Sequence, residues 1–468
     1  MKIIIIGAGK VGFTLAENLV VEDNDVTIID KSILALEKVE DNIDVMCIKG
    51  NGVSANVLLE AGIESADLLI AVTGSDEINM VCCLTAKKLG VRQTVARVRD
   101  PEYSDELSLI KDQLGLDFVI NPEFAAAEEI ARTLGFSSAI NVERFASGRV
   151  RMVELKIASG LNIIGKRVSD MDKFASSPVI IGIIIRGENV IVPKGQEIIK
   201  EEDVIYVIGK SSNIYNFCKL CGMYPEKIKN VMIMGGGRIA YYLYKLLTSM
   251  NMNIKIIEIN TEKCYELADA LPGALIINSD GTEEQVLLSE NARNMDGFVA
   301  ITGIDEQNLM SSLIAKKMGV KKVVTKISRT NYINIIRELG IDSIISPKLI
   351  TTNQILKYAR GNSLESLLKI AEGSVEILEF IVEADSNFSN KQIKAIEMVE
   401  DTIIATIVRK HEVVIPHGND VIKSGDRIIV ITKQKNISDL KELEETMTGG
   451  LQSELLNGIK KFRDTTSM

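Results

Sequence analysis

The chain is written twice. An apolar run ending in Gly7-Ala8-Gly9-Lys10-Val11-Gly12 returns as one ending in Gly235-Gly236-Gly237-Arg238-Ile239-Ala240, and Asp30 returns at the same offset as Glu258. After a one-residue insertion, Val72-Thr73-Gly74-Ser75-Asp76-Glu77 answers Ile301-Thr302-Gly303-Ile304-Asp305-Glu306. Smaller stretches repeat too: Arg186 to Lys210 aligns without gaps on Arg409 to Lys433, with Pro193 or Pro416, Gly195 or Gly418 and Asp203 or Asp426 in register. A duplication of this extent fixes the order as large, small, large, small.

Each large segment alternates short β-branched runs with helical periodicity. Lys2 to Ile6, with four consecutive isoleucines, is too short for a helix and reads as a buried parallel strand. Helices follow over 10–20, 32–39, 55–60 and 76–89, and strands over 25–29, 45–48, 68–72, 94–98 and 118–120. This is an α/β fold: two tandem Rossmann-like doubly wound parallel-sheet domains, each followed by a small α+β domain built on a hairpin. The expected limits are 1–122, 137–221, 228–348 and 365–446, with a polar tail over 447–468. Amphipathic helices are expected over 123–134 and 349–358. A doubly wound sheet is already covered on both faces, so the first of these is expected to pack on a neighbour, the alternative being that it covers its own domain.

At 468 residues the chain suits several cores. A net charge of −10 argues against a nucleic-acid partner, and no apolar run approaches the roughly 18 residues that would cross a bilayer. A strand entered after two residues leaves no room for a signal peptide, so a cytoplasmic location is expected. Six cysteines include one C-x-x-C, Cys218 and Cys221, without a second pair or nearby histidines. They read as helix-packing residues, and no metal site is expected.

The glycine loops carry the chemistry. A pyrophosphate without a cation must be held by backbone amides at a helix N-terminus. Gly7 makes the tight turn, Gly9 admits the pyrophosphate and Gly12 lets helix meet strand, with Ala8, Lys10 and Val11 completing the loop. Asp30, ending the second strand, is placed to accept from ribose hydroxyls and would repel a 2′-phosphate, favouring NAD(H) or another adenine nucleotide over NADP. Gly235, Gly236, Gly237, Arg238, Ile239 and Glu258 repeat the arrangement, with Ala240 in place of the last glycine. Other candidates lie where strands end: Asn51 and Gly52, with Asp280 and Gly281, toward the adenine; Thr73 and Gly74, with Thr302 and Gly303, toward the phosphates or second ribose; Arg97 and Lys326 as cations near the phosphates. No group suited to moving a substrate proton accompanies these loops, and the first half has no histidine. No catalytic residue is assigned. The rival readings are an NAD-dependent oxidoreductase and a stand-alone nucleotide sensor.

The paired loops, the opening Lys2-Ile3-Ile4-Ile5-Ile6-Gly7-Ala8-Gly9, and Ala71-Val72-Thr73-Gly74-Ser75-Asp76-Glu77-Ile78-Asn79-Met80 closely resemble the TrkA family of tandem RCK proteins. The resemblance covers nearly all of residues 1 to 446. It implies two units, each an RCK-N Rossmann lobe plus an RCK-C lobe. It further implies binding of NAD(H) and of ATP or ADP in the clefts, and assembly into a homo-oligomeric, tetrameric ring. Such a ring would dock at the inner face of the cell membrane on an integral-membrane potassium channel subunit of the Trk type. Nucleotide occupancy would then gate potassium uptake. The departures at Ala240 and Lys326 leave the preference of the second site open.

Overall fold

The computed structural model describes residues 1–444 except 104, 105, 107–110, 112, 113, 172–177, 225, 330–332, 361–363 and 372. The tail expected over 447–468 lies outside the described residues. Strands β1 (Lys2–Ile6), β2 (Asp25–Asp30), β3 (Met46–Lys49), β4 (Leu68–Ala71), β5 (Gln93–Arg97) and β6 (Phe118–Ile120) form a parallel sheet in the order β3-β2-β1-β4-β5-β6. Ile3 to Ile6 are at most 2% exposed, as a central strand covered on both faces requires.

In small units that follow, β7 (Asn141–Phe145), β8 (Val150–Lys156), β9 (Val179–Arg186), β10 (Asn189–Ile191) and β11 (Val204–Gly209) form a sheet in the order β10-β9-β11-β8-β7. The second parallel sheet comprises β12 (Asn230–Met234), β13 (Asn253–Glu258), β14 (Ala274–Asn278), β15 (Gly297–Ala300), β16 (Lys322–Lys326) and β17 (Ser343–Ile345). Its order, β14-β13-β12-β15-β16-β17, repeats the first. The last sheet, of β18 (Leu364–Ile370), β19 (Val375–Ile381), β20 (Thr402–Arg409), β21 (Glu412–Val414) and β22 (Arg427–Thr432), runs β18-β19-β22-β20-β21, the order of its counterpart read from the opposite end. In both parallel sheets the strand order reverses direction beside the first strand, which opens a crevice where the glycine loop leaves it.

The chain divides into two compact units. One holds both parallel-sheet lobes (Met1–Glu143, Val153–Leu155 and Met223–Ala359), and the other holds Arg144–Met152, Lys156–Gly222 and the chain from Arg360. In the second unit the two small sheets share a core in which Phe145, Ile183 and Ile208 meet Ile377, Ile429 and Ile431. A Cβ on Gly182 would lie 2.2 Å from Ile431 Cδ1, so the two sheets meet closely at that point. The repeated Asp203 and Asp426 are both buried, each holding an arginine by two hydrogen bonds. Arg186 donates to Asp203 at 2.8 and 2.8 Å, and Arg409 to Asp426 at 2.9 and 2.7 Å.

Within the first unit the helices that follow the parallel sheets are traded. The helix Pro122–Leu134 is capped by the Asn121 side chain and carries Ala126, Ala127, Ile130, Ala131 and Leu134 on one face. That face is buried against Val231, Leu243 and Leu247 of the second lobe. In return Pro347–Ala359 lies against the glycine helix Lys10–Val21 of the first lobe, and Tyr358 stacks on Phe118 with centroids 4.9 Å apart. Each amphipathic helix thus covers the other copy.

Candidate functional site

Gly7 takes φ of +109°, a conformation open to glycine at little cost, and its amide donates to the Ile29 carbonyl at 2.8 Å. A Cβ there would sit 3.2 Å from the Val72 and Thr73 backbone. Gly9 caps the first glycine helix with ordinary φ, and nothing lies within 4 Å of where its Cβ would be. The loop therefore presents open space at the point where a phosphate would approach. At Gly12 a Cβ would meet the Gly7 carbonyl oxygen at 1.8 Å, so this glycine sets how closely helix and loop pack.

Above this loop is a cavity of about 740 Å³, within the range of pockets that hold drug-sized ligands and cofactors. Gly7, Gly9, Lys10, Val11, Asp30, Asn51, Gly52, Thr73, Gly74 and Arg97 all line it. Two expected residues do not. Ala8 is buried and its amide donates to Asp30 Oδ2 at 2.6 Å, while Gly12 lies beneath the loop as packing. Asp30 Oδ1 also accepts from the Ser32 amide at 2.8 Å. Before any ligand arrives, the carboxylate already fastens the loop to the end of β2. Its remaining lone pairs are the ones a ribose could use.

The Thr73-Gly74 turn is fixed by a residue to which the sequence reading gave no role. Asn79 is fully buried; its Oδ1 accepts from the Thr73 amide and hydroxyl at 2.8 Å each, and its Nδ2 donates to the Arg97 carbonyl at 2.8 Å. It clasps the ends of β4 and β5 together at the cleft. Arg97 itself donates to the Thr73 carbonyl, and burial, with Arg99 next, pulls its pKa down. Asp76 ties the following turn by accepting from the Arg99 and Asp100 amides at 2.8 and 2.9 Å. Lys31, Ser75 and Ile78 also line the cavity without having been expected. A lysine after a strand-end carboxylate reads as solvated surface, and only the curl of the chain brings it over the cleft.

The second loop repeats these bonds. Gly235 has φ of +102°, Gly236 donates to Glu258 Oε2 at 2.7 Å, and the Asn260 amide donates to Oε1 at 2.9 Å. Gly237 faces open space as Gly9 does. Asn308 holds the Thr302 amide and hydroxyl at 2.8 Å each and donates to the Lys326 carbonyl at 3.1 Å. Gly303 is exposed beside it. The differences are local. The Ile239 side chain belongs to the core, and Ala240 is fully buried with it. Arg238 lies 3.6 Å from Asp100 of the first lobe. Asp280 accepts from the Thr282 amide and hydroxyl at 2.9 and 2.7 Å, and burial pulls the Lys326 pKa down.

Cys82, Cys83, Cys218, Cys221 and Cys264 are buried, and burial pushes the Cys218 and Cys221 thiols up to about 12, which suits packing. Among the described residues no group of three or more His, Cys, Asp or Glu is placed to hold a metal ion, and no helix is long and apolar enough to cross a membrane.

The TrkA-N domain family matches residues 3–122 and 231–347, and the TrkA-C domain family matches 152–222 and 377–444. A Methanosarcina mazei protein named Trk system potassium uptake protein TrkA homolog 1 is 36% identical over 94% of this chain and 99% of its own length. The Haemophilus influenzae Trk system potassium uptake protein TrkA is 33% identical over 95% of this chain and 98% of its own. Among solved structures, the GsuK RCK domain superposes with a TM-score of 0.61 at 17% identity, covering 93% of both chains. A GsuK channel bound to NAD gives the same score over 93% of this chain and 77% of that one. Matched in both halves by the same pair of domain families and along nearly its whole length by these relatives, the chain belongs to the TrkA family, with RCK-type lobes in tandem.

Proposed function

We propose that this protein is a nucleotide-binding regulatory subunit that gates a membrane potassium uptake channel of the Trk type. The observation that carries the reading is the first cleft: an open glycine loop, a strand-end carboxylate fastened to it and a cavity of dinucleotide scale, with the open glycine and the carboxylate bond repeated at the second loop. NAD(H) is the ligand that this geometry favours, with ATP or ADP sharing the same amide and carboxylate recognition. The relatives named for Trk potassium uptake support the physiological setting, and the GsuK channel structure bound to NAD supports the ligand class.

In this reading the protein works in the cytoplasm as a homo-oligomeric ring on the inner face of the membrane and catalyses no reaction. The site residues hold and orient the nucleotide. Gly9 and Gly237 let the phosphates reach backbone amides, Asp30 and Glu258 take the ribose, and Arg97 and Lys326 balance phosphate charge. A gate driven by ligand needs different affinities in two arrangements of the assembly. A coupling of about 1–3 kcal/mol would bias opening several-fold to about a hundredfold. The test is potassium uptake by cells lacking their own subunit and complemented with this chain or its Gly9→Trp variant at equal expression. Rescue by the native chain with loss of nucleotide-dependent control in the variant is expected. Full rescue by the variant would remove the first cleft from the mechanism, and steady NADH oxidation by the purified protein with a small carbonyl substrate would favour an oxidoreductase.

A further inference from the structure

The two clefts share their bonding pattern but not their charge. Lys31 lines the first cavity, whereas the matching residue after Glu258 is Ile259, exposed and uncharged. Asn51 lines the same cavity, and its counterpart is the carboxylate Asp280. A third difference comes from the traded helices. Lys348, at the start of Pro347–Ala359, stands near Glu17, Lys10 and Lys38 of the first lobe, where burial pulls its pKa down and Glu17 answers part of its charge, so it adds only a partial cation beside the first glycine loop. Its counterpart Glu123 is a carboxylate near Arg99, Arg97 and Arg238 that also acts on Lys326, so no cation stands at that place beside the second loop. In the second loop Arg238 is drawn toward Asp100 at 3.6 Å, so part of its field is already spent on a carboxylate.

We propose that the two clefts sort nucleotides by charge. Lys31, Lys348 and Asn51 bias the first toward a nucleoside polyphosphate, while Ile259 and Asp280 bias the second toward a dinucleotide with few free charges. This rests on reading both glycine loops as nucleotide sites. ATP without magnesium carries roughly four negative charges at neutral pH, and the bridging pyrophosphate of NADH roughly two. Every unit of charge exchanged at the cleft rim therefore acts about twice as strongly on ATP as on NADH. Three exchanges of like sense separate the clefts, and none opposes them among these pairs. The backbone amides and ribose carboxylates, being common to both, supply affinity without preference. Charge at the rim supplies the preference.

Single-site proteins allow the test: Gly9→Trp leaves the second cleft open, and Gly237→Trp leaves the first. Each is titrated calorimetrically with magnesium-free ATP and with NADH, at low and at high salt, after its melting curve shows it folded. The ratio of ATP to NADH affinity is expected to be at least about tenfold higher at the first cleft, with the gap shrinking as salt screens the rim charges. Ile259→Lys with Asp280→Asn, placed in Gly9→Trp, should raise ATP affinity about tenfold and NADH affinity about threefold. Lys31→Ile in Gly237→Trp should lower ATP affinity more than NADH affinity. Equal ratios at the two clefts, or ratios indifferent to these exchanges, would overturn the sorting while leaving both sites as nucleotide sites. If neither single-site protein binds either nucleotide, the reading of the loops themselves falls, and the sorting with it.

Discussion

The first and second glycine loops place the same atoms in the same bonds while resting on different supports. In both, a left-handed glycine opens the turn, a strand-end carboxylate accepts from the next amide, and a buried asparagine clasps the neighbouring turn. Beneath the loops the copies part. Gly12 leaves no room for a Cβ, whereas Ala240 is accommodated and fully buried. Asp30 is half-buried and lines a cavity, and Glu258 is only 8% exposed. The bonds that shape the two loops are thus the same in both copies, while packing and charge around them differ.

The largest effect expected is loss of ligand at one cleft alone. Gly9 and Gly237 have open space and ordinary φ of −69° and −77°, so tryptophan at either should fold normally and fill the phosphate approach. NADH affinity at the altered cleft should fall at least about a thousandfold, with binding stoichiometry halved in calorimetry. If Gly237→Trp leaves the stoichiometry unchanged, the second loop binds nothing and the likeness of the copies is one of fold.

Next in size is Gly12→Ala, which should destabilise the first lobe by about 3 kcal/mol because the added carbon meets a backbone oxygen. Ala240→Gly should cost only about 1 kcal/mol, the helix-propensity difference. Urea unfolding followed by circular dichroism measures both. Equal costs at the two positions would show that the first helix can shift as the second has.

Removing a strand-end carboxylate comes third. Asp30→Ala should weaken NADH about tenfold or more at the first cleft, the usual loss for a charge-assisted hydrogen bond of about 1.5–3 kcal/mol. Glu258→Ala should do the same at the second cleft and also lower the melting temperature more, since it leaves the buried Gly236 amide without its carboxylate partner, whereas the Ala8 bond to Asp30 is only part-buried. A double variant with unchanged calorimetry would refute the cleft assignment.

The smallest effect is on pH. Burial lowers the Lys326 pKa below that of a free lysine, whereas Arg97, though also lowered, is a guanidinium that stays charged across the accessible range. As pH rises through the lowered Lys326 value, the second cleft should lose a cation and NADH affinity there should fall a few-fold, while the first holds. The stability contribution has the opposite sense. Between the folded and unfolded lysine values the unfolded chain binds more protons, so this group adds stability as pH rises. Lys326→Arg should abolish the difference between the clefts in an alkaline titration.

The parallel sheets were legible because their central strands are short apolar runs hidden on both faces, as Lys2–Ile6 and Leu68–Ala71 are, and in the first sheet expected and observed limits differ by one residue at most. The gathering of the glycines, Asp30 and the Thr73-Gly74 turn at the strand ends was legible because strand, glycine turn and helix follow at the offsets a doubly wound sheet uses. Asn79 and Asn308 were not. An asparagine gains its role from the approach of the β5 or β16 carbonyl, a contact no local pattern encodes. That the helix Pro122–Leu134 packs away from its own sheet was legible, because a doubly wound sheet is already covered on both faces, but its alanine-and-isoleucine stripe did not say which neighbour receives it. Lys31 escaped because charge after a strand reads as solvent-facing.

Trading those two helices has a consequence for the integrity of the molecule. Neither half can fully clothe its own apolar surface: the seat built by Leu243 and Leu247 is filled from the other half, and the stripe through Ala127 and Ile130 has no cover at home. A protease cut between the halves would therefore release nothing, because separation would strip both at once. Fragments expressed apart should recombine when mixed, and a chain holding a single copy would have to pair with its twin.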